Sequence, residues 1–311
     1  METPQGYGNK LRETRFVANR RGANPFFSLM TTRLQIWCYY PHMLSTTVLT
    51  VSALLSLLPA TILPYRRTPA RDALFWILLA VAIAGPTVWV WASFATGWRV
   101  GFAPALWLTI TASLAVFGVL SAAMRHVWRL APILLPYMMI IAVMAALWLK
   151  QPEMAPMGQF PSASVWFHIL LSIVTYGLLT IGAISGFAVT LQERALKQKR
   201  PGGFVRLLPS VVDGERIQIT LLFAGGVVLA CGLVSGMAAQ YFQSGQLIDL
   251  NHKTVLSLVT LVVIVALLLV HARTGIRGRR AARYVLAAYL LITLAYPGVK
   301  FVTDVVLATP L

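Results

Sequence analysis

Residues 165–190 read VWFHILLSIVTYGLLTIGAISGFAVT, a run with no Asp, Glu, Lys or Arg and a single histidine near its start. At about 1.5 Å per residue, a helix of this length crosses the roughly 30 Å hydrocarbon core of a bilayer. Lipid offers no partner to a free N–H or C=O, so the backbone there must be helical. The run therefore decides the class. Its histidine raises the question of what an imidazole does at the mouth of a segment that belongs in lipid.

Working outward, comparable runs occur at 43–64, 73–96, 103–123, 130–149, 217–239, 253–271 and 284–307. With 165–190 they predict an all-α, polytopic membrane protein, a bundle of about eight transmembrane helices. Composition agrees: 58% of the 311 residues are hydrophobic and only 11% are charged, against about a quarter in an ordinary globular chain. Mean hydropathy is +0.74. The net charge of +17 would suggest nucleic-acid binding on a soluble surface, but here it sits in short runs between spans. Arg66, Arg67, Arg71, Arg125, Arg129, Arg194, Lys197, Lys199, Arg200, Arg206, Arg216, Arg273, Arg277, Arg279, Arg280 and Arg283 fall in alternate loops. The other loops hold only Arg99, Lys150 and Lys253. Sixteen against three puts the basic loops in the cytoplasm and the C-terminus outside.

Residues 1–42 break that pattern, because six basic residues would lie on the outer face. The expectation is a disordered basic tail, with Met43 or Met30 as an alternative natural start. Residues 43–150 form four N-terminal helices, and 165–308 a four-helix core. Cys38 and Cys231 have no metal-ligand or relay spacing.

The histidines sort by face. His42, His168 and His252 lie at outer ends of spans, His126 and His271 at the cytoplasmic boundary. His252 and His271 are separated by about 28 Å of helix, so any ligand pair must be drawn within one face: His168 with His252 or His42 outside, His271 with His126 inside. His168, Ser172 and Tyr176 step by four, with Thr175 adjacent, and set a stripe toward the bundle. In the last span Tyr289, Thr293, Tyr296, Lys300 and Asp304 form a second polar face, bent at Pro297. The blander readings are interfacial anchoring for His42, His126 and His252, and an ion pair for Lys300 with Asp304. Close packing is the simplest reading of the Gly182/Gly186 and Gly232/Gly236 pairs. Trp89, Trp91, Trp98, Trp107, Trp128 and Trp148 read as interface anchors. There is no H-E-x-x-H, no phosphate loop and no pair of intramembrane carboxylates.

From 165 onward the order of motifs resembles the cytochrome c assembly protein family, of the CcsA, CcmC and HemX type. The similarity is greatest to its eight-helix HemX- and YpjD-like subgroup. It is carried by WFHILLSIVTYGLLTIGAISGFAVTLQERALK, then LPSVVDGERIQ, SGMAAQY, HKTVLSLV, HARTGIRGRRAARY and LAYPGVKFVTDVVL. The resemblance implies a haem-binding bacterial inner-membrane protein assisting cytochrome c maturation or haem handling. Its partners would be other maturation components or an apocytochrome. His168 matches the family's outer axial ligand to haem iron, and His271 matches the ligand at the cytoplasmic end of its helix to within about a turn. His252 lies on the correct face to be a second outer ligand, an inference from position. Lys253 and Lys300 are candidates to pair with haem propionates. The family's tryptophan-rich WGxxWxWD loop is replaced by QYFQSGQLIDLN, and no tryptophan follows Trp166. A haem-lyase activity is therefore not expected. The alternative is a HemX-like regulator of haem biosynthesis that works through its basic loops without bound haem. A transporter reading ranks lowest, since no inverted repeat is evident.

Overall fold

A computed structural model describes residues 25–66, 70–95, 101–148, 163–199, 202–245, 252–274, 279–294 and 298. Eight α-helices occur among them: α1 Pro25–Arg66, α2 Ala73–Ala95, α3 Phe102–Ala123, α4 Ala131–Leu147, α5 Ala163–Lys197, α6 Val211–Ser244, α7 His252–Thr274 and α8 Arg279–Thr293. Among the described residues, seven stretches are long and apolar enough to cross a membrane, and Ala282–Leu291 of α8 is a shorter apolar helix. Residues 1–24 of the expected tail lie outside the described residues, and α1 begins at Pro25. The chain divides into two units, Met1–Val48 and Leu49–Leu311. The first holds the start of α1, and the second holds the rest of α1 together with α2 to α8.

The spans at 165–190 and 217–239 lie inside much longer helices. At about 1.5 Å per residue, α5 and α6 each exceed 50 Å, well beyond the roughly 30 Å apolar core. Capping explains where α6 begins. Ser210 Oγ accepts from the backbone N–H of Asp213 at 3.2 Å and donates to Asp213 Oδ2 at 2.6 Å, which satisfies a helix-start donor. On the preceding loop, the Gln192 side-chain amide donates to the carbonyls of Val205 and Pro209 at 2.8 and 3.1 Å. The far end of α6 stops at Gly245, whose φ of +71° is the left-handed conformation that lets its N–H reach the Tyr241 carbonyl.

Helix α5 is the central element. From Thr175 to Gly186 nearly every side is buried, and it contributes to both apolar cores. One joins α1 to α6 around Leu57, Phe117 and Leu134, with Leu178 and Ile181 from α5. The other gathers Leu222, Leu229, Ile264, Val285 and Ala288 about Leu179. Trp89 and Trp107 belong to the first of these. Their rings stack at 5.2 Å and are 2% and 0% exposed, and Trp89 Nε1–H donates to Thr50 Oγ1 at 3.0 Å. They are core residues and not interface anchors, whereas Trp91 at 79% exposure keeps the expected position. Trp98 lies outside the described residues.

Polar groups on α5 and α8 meet across the bundle. Tyr289 Oη lies 2.6 Å from Tyr137 Oη on α4 and 3.1 Å from Tyr176 Oη on α5. Thr180 and Thr293 follow Tyr176 and Tyr289 by four residues on α5 and α8. Each threonine donates its own proton to a carbonyl one turn back in its helix, that of Tyr176 or Tyr289. Tyr296, Pro297, Lys300 and Asp304 lie outside the described residues.

Removing the Tyr289 hydroxyl breaks the links from α8 to both α4 and α5. Hydrogen bonds in membrane bundles average about 0.6 kcal/mol and reach about 1.7, so Tyr289→Phe is expected to cost about 1–2 kcal/mol in detergent unfolding. Adding Tyr137→Phe should cost little more, because its partner is already gone.

Candidate functional site

His168 lies in the second turn of α5, and its position is set by α6. Imidazole Nδ1 is 2.9 Å from the carbonyl oxygen of Gly232. A carbonyl has no proton to give, so Nδ1 carries the hydrogen and donates it. In the neutral ring Nε2 is then left with its lone pair. Ser235 Oγ donates to the same carbonyl at 2.9 Å and sits 3.3 Å from Nδ1.

The ring fits because Gly236 has no side chain. A Cβ at that position would stand 2.8 Å from His168 Cε1 and 3.0 Å from Nδ1, closer than real carbon contacts allow. The sequence GLVSG, residues 232–236, is thus a socket. One residue supplies the acceptor, one a hydroxyl and one the space. The close-packing reading of Gly232/Gly236 holds, since a Cβ on Gly232 would also meet Leu171 at 3.7 Å. What packs against Gly236 is the imidazole itself. Gly182 and Gly186 behave conventionally, facing Leu221, Gln218 and Ala282.

Below the ring is a cavity of about 380 Å³, within the range of roughly 300–1,000 Å³ for small-molecule sites. Its walls come from α3 (Ala105, Leu108, Thr109), α5 (His168, Ile169, Ser172, Ile173, Thr175, Tyr176), α6 (Leu229, Gly232, Leu233) and α7 (Ser257). The stripe read from the sequence therefore faces this space. Most of its hydroxyls are already paired: Ser172 and Thr175 donate to the carbonyls of His168 and Leu171, and Thr109 to that of Ala105. The lining is largely apolar, and His168 and Tyr176 both contribute to it. Chemically, it suits a hydrophobic group that offers His168 Nε2 a proton or an electron-pair acceptor such as a metal.

The remaining histidines separate from this cavity. His271, half-buried in the last turn of α7, is 14 residues beyond Ser257, about 21 Å of helix. It cannot share a ligand with His168. His252 opens α7, about 7.5 Å along the axis before Ser257. Its side chain, like those of His42 and Lys253, lies outside the described residues. His126 lies beside Asp213, Nε2 to Oδ1 at 3.8 Å. Among the described residues no three His, Cys, Asp or Glu side chains form a metal-binding group.

Sequence reasoning finds His168 and its stripe but not the socket. The signal for the socket is the GxxxG at 232–236, which does not say which residue lies against it.

Comparison with known proteins matches residues 98–307 to the family model described as Cytochrome C assembly protein. The match begins before α3, so it is wider than the resemblance read from 165 onward. The chain is 48% identical over 265 residues to the uncharacterized 28.8 kDa protein in nifR3-like 5′ region of Azospirillum brasilense, covering 84% of this chain and 98% of that one. It is 28% identical over 187 residues to the inner membrane protein YpjD of Escherichia coli K12, 60% of this chain and 68% of that one.

Gly236→Ala is expected to push the imidazole out of its socket at a cost of about 1–3 kcal/mol, the usual penalty of overpacking. In a histidine-selective ¹⁵N spectrum the hydrogen-bonded Nδ1–H signal of His168 should be lost. Gly202→Ala, where a Cβ meets nothing within 4 Å, should leave it unchanged.

Proposed function

The chain belongs to the cytochrome c assembly protein family, and from that premise we propose that it is a haem-binding protein of the bacterial inner membrane assisting cytochrome c maturation or haem handling. The observation that carries this reading is the fixed tautomer of His168. Haem iron takes a neutral imidazole nitrogen as an axial ligand. A ligating histidine usually donates its other ring N–H to a carbonyl or carboxylate, which orients the ring and raises its basicity. Here Gly232 is that acceptor, Gly236 leaves room for the ring, and the adjoining wall is apolar enough for a porphyrin face. The residues fit the group.

In this reading His168 Nε2 holds the iron at the outer site, and bound haem supplies a redox-active metal there. His252 is the proposed second outer ligand, because it opens the helix that brings Ser257 to the cavity. His271 serves a separate site toward the cytoplasmic side. Lys253 and Lys300 are proposed to pair with propionates. The division proposed is a basic N-terminal segment to residue 42 that takes in the start of α1, four N-terminal helices to 150 and a haem-handling core at 165–308, with α3 adding a wall to the cavity. Partners are other maturation components or an apocytochrome, and the role is binding and not haem-lyase transfer. Basic loops at sixteen to three support a C-terminus outside the cytoplasm, and the name of the YpjD relative supports the inner membrane.

Full-length protein purified after haem-replete expression is expected to show a Soret band that His168→Ala weakens and His168→Ala with His271→Ala abolishes. A wild-type protein without the band would sink this reading and favour the HemX-like regulator. A C-terminal alkaline phosphatase fusion should be active in cells; an inactive one would reverse the proposed orientation.

A further inference from the structure

We propose that Ser235 is a positioning residue that sets the donor strength of His168, and with it the redox balance of the metal the imidazole holds. The inference rests on the haem reading for its second half only. Its first half is a statement about three atoms in the protein.

Those atoms are Gly232 O, His168 Nδ1 and Ser235 Oγ. Counting protons leaves one arrangement. The carbonyl cannot donate, so Nδ1–H points to it at 2.9 Å, and the single hydroxyl proton of Ser235 points to it as well, also at 2.9 Å. The third side of the triangle, Nδ1 to Ser235 Oγ, is 3.3 Å. That lies outside the usual 2.7–3.2 Å for N–H···O bonds, so Ser235 acts on the imidazole mainly through the carbonyl and only weakly as an acceptor of its own.

Two side-chain donors share a carbonyl that α6 already uses to accept the backbone N–H of Gly236, and each donor draws on the same electron density. The Nδ1–H bond is then weaker than it would be to the same carbonyl alone. A strongly accepted Nδ1–H gives the ring imidazolate character and raises the basicity of Nε2. Hydrogen bonding around an axial ligand is one of the levers by which a protein moves a haem potential. By competing for Gly232 O, Ser235 holds Nε2 to a moderate donor strength. It touches neither the iron nor Nε2 and adds no charge. Simple helix packing does not require a hydroxyl here, since the space for the ring comes from Gly236.

The test uses the full-length protein in detergent, with Ser235→Ala and, as the conservative variant, Ser235→Thr. In the haem-free form, the His168 Nδ1–H proton resonance should move downfield in Ser235→Ala and return in Ser235→Thr. An unmoved resonance overturns the proposal. In the haem-loaded form, Ser235→Ala should keep its Soret band, while the ferric-to-ferrous ratio at a fixed potential rises about threefold. That corresponds to a midpoint about 28 mV lower, at 59 mV per decade for one electron. Ser235→Thr should restore the wild-type midpoint. A Soret band with an unchanged midpoint in Ser235→Ala overturns the redox half alone. No band in the wild type overturns the haem reading, and the haem-free resonance then decides the hydrogen-bond half by itself.

Discussion

The antiparallel contact of α5 with α6 is the constraint on which the rest of the bundle depends. Helix α5 is enclosed by neighbours through its middle, so every helix touching it must either offer small residues or fit around large ones. Helix α6 offers small ones. Gly225 receives Leu179, Gly232 faces Leu171 and Gly236 takes His168. Small residues let helix backbones approach closely, and in lipid that approach must itself supply attraction, because the tails are as apolar as the side chains. The seating of His168 is a by-product of this packing rule carried one turn further. Where a further glycine would ordinarily have met an aliphatic side chain, it meets an imidazole.

Enclosing α5 creates a problem that its polar stripe must solve, since an unpaired hydroxyl in a low-dielectric interior costs several times what a pair returns. Two solutions coexist. Near the cavity, Ser172 and Thr175 turn their protons back onto their own helix, which neutralises them and leaves the wall effectively apolar. One turn deeper the solution is reciprocal. The phenols of Tyr176 on α5 and Tyr289 on α8 meet each other, while Thr180 and Thr293, both spaced as Y-x-x-x-T, each donate to the carbonyl of the tyrosine on their own helix. Tyr137 on α4 joins through the same Tyr289 hydroxyl, so three phenols are linked by two contacts. The clasp binds α8 to the bundle by direction and not by hydrophobicity.

How much of this is legible in the sequence depends on what each pattern encodes. Seven spans and the stripe on α5 can be read because lipid forces a helix and the period of 3.6 then assigns faces. Hydropathy ends where the bilayer does, whereas a helix continues as long as its backbone is satisfied, so the extensions of α5 to Lys197 and of α6 from Val211 are invisible to it. Trp89 and Trp107 are misread as anchors for a related reason. Position along a span says how deep a ring lies, but not whether it turns toward lipid or toward Thr50 and its neighbours. The socket needs knowledge of register between two helices, since a one-turn slip would set His168 against Gly232 and leave Gly236 empty. Periodicity within one helix carries no such information.

The socket also bears on how a ligand could be selected. The family's tryptophan-rich loop is replaced here by QYFQSGQLIDLN, so no set of indole rings is supplied from that loop. Selectivity must then come from parts that are already rigid: an imidazole held by two contacts to α6, and walls from α3, α5 and α7 whose hydroxyls are mostly internally paired. Such a site loses little ordering entropy on binding at His168, because that side chain is preorganised. It also discriminates weakly among apolar bodies of similar size, since an apolar wall separates them by only about 1–3 kcal/mol per methylene. Among the described residues, the His168 imidazole is the group in the lining best suited to a directional bond. What this arrangement has in place before any ligand arrives is one histidine, the carbonyl that orients it and the missing side chain of Gly236 that makes room for it.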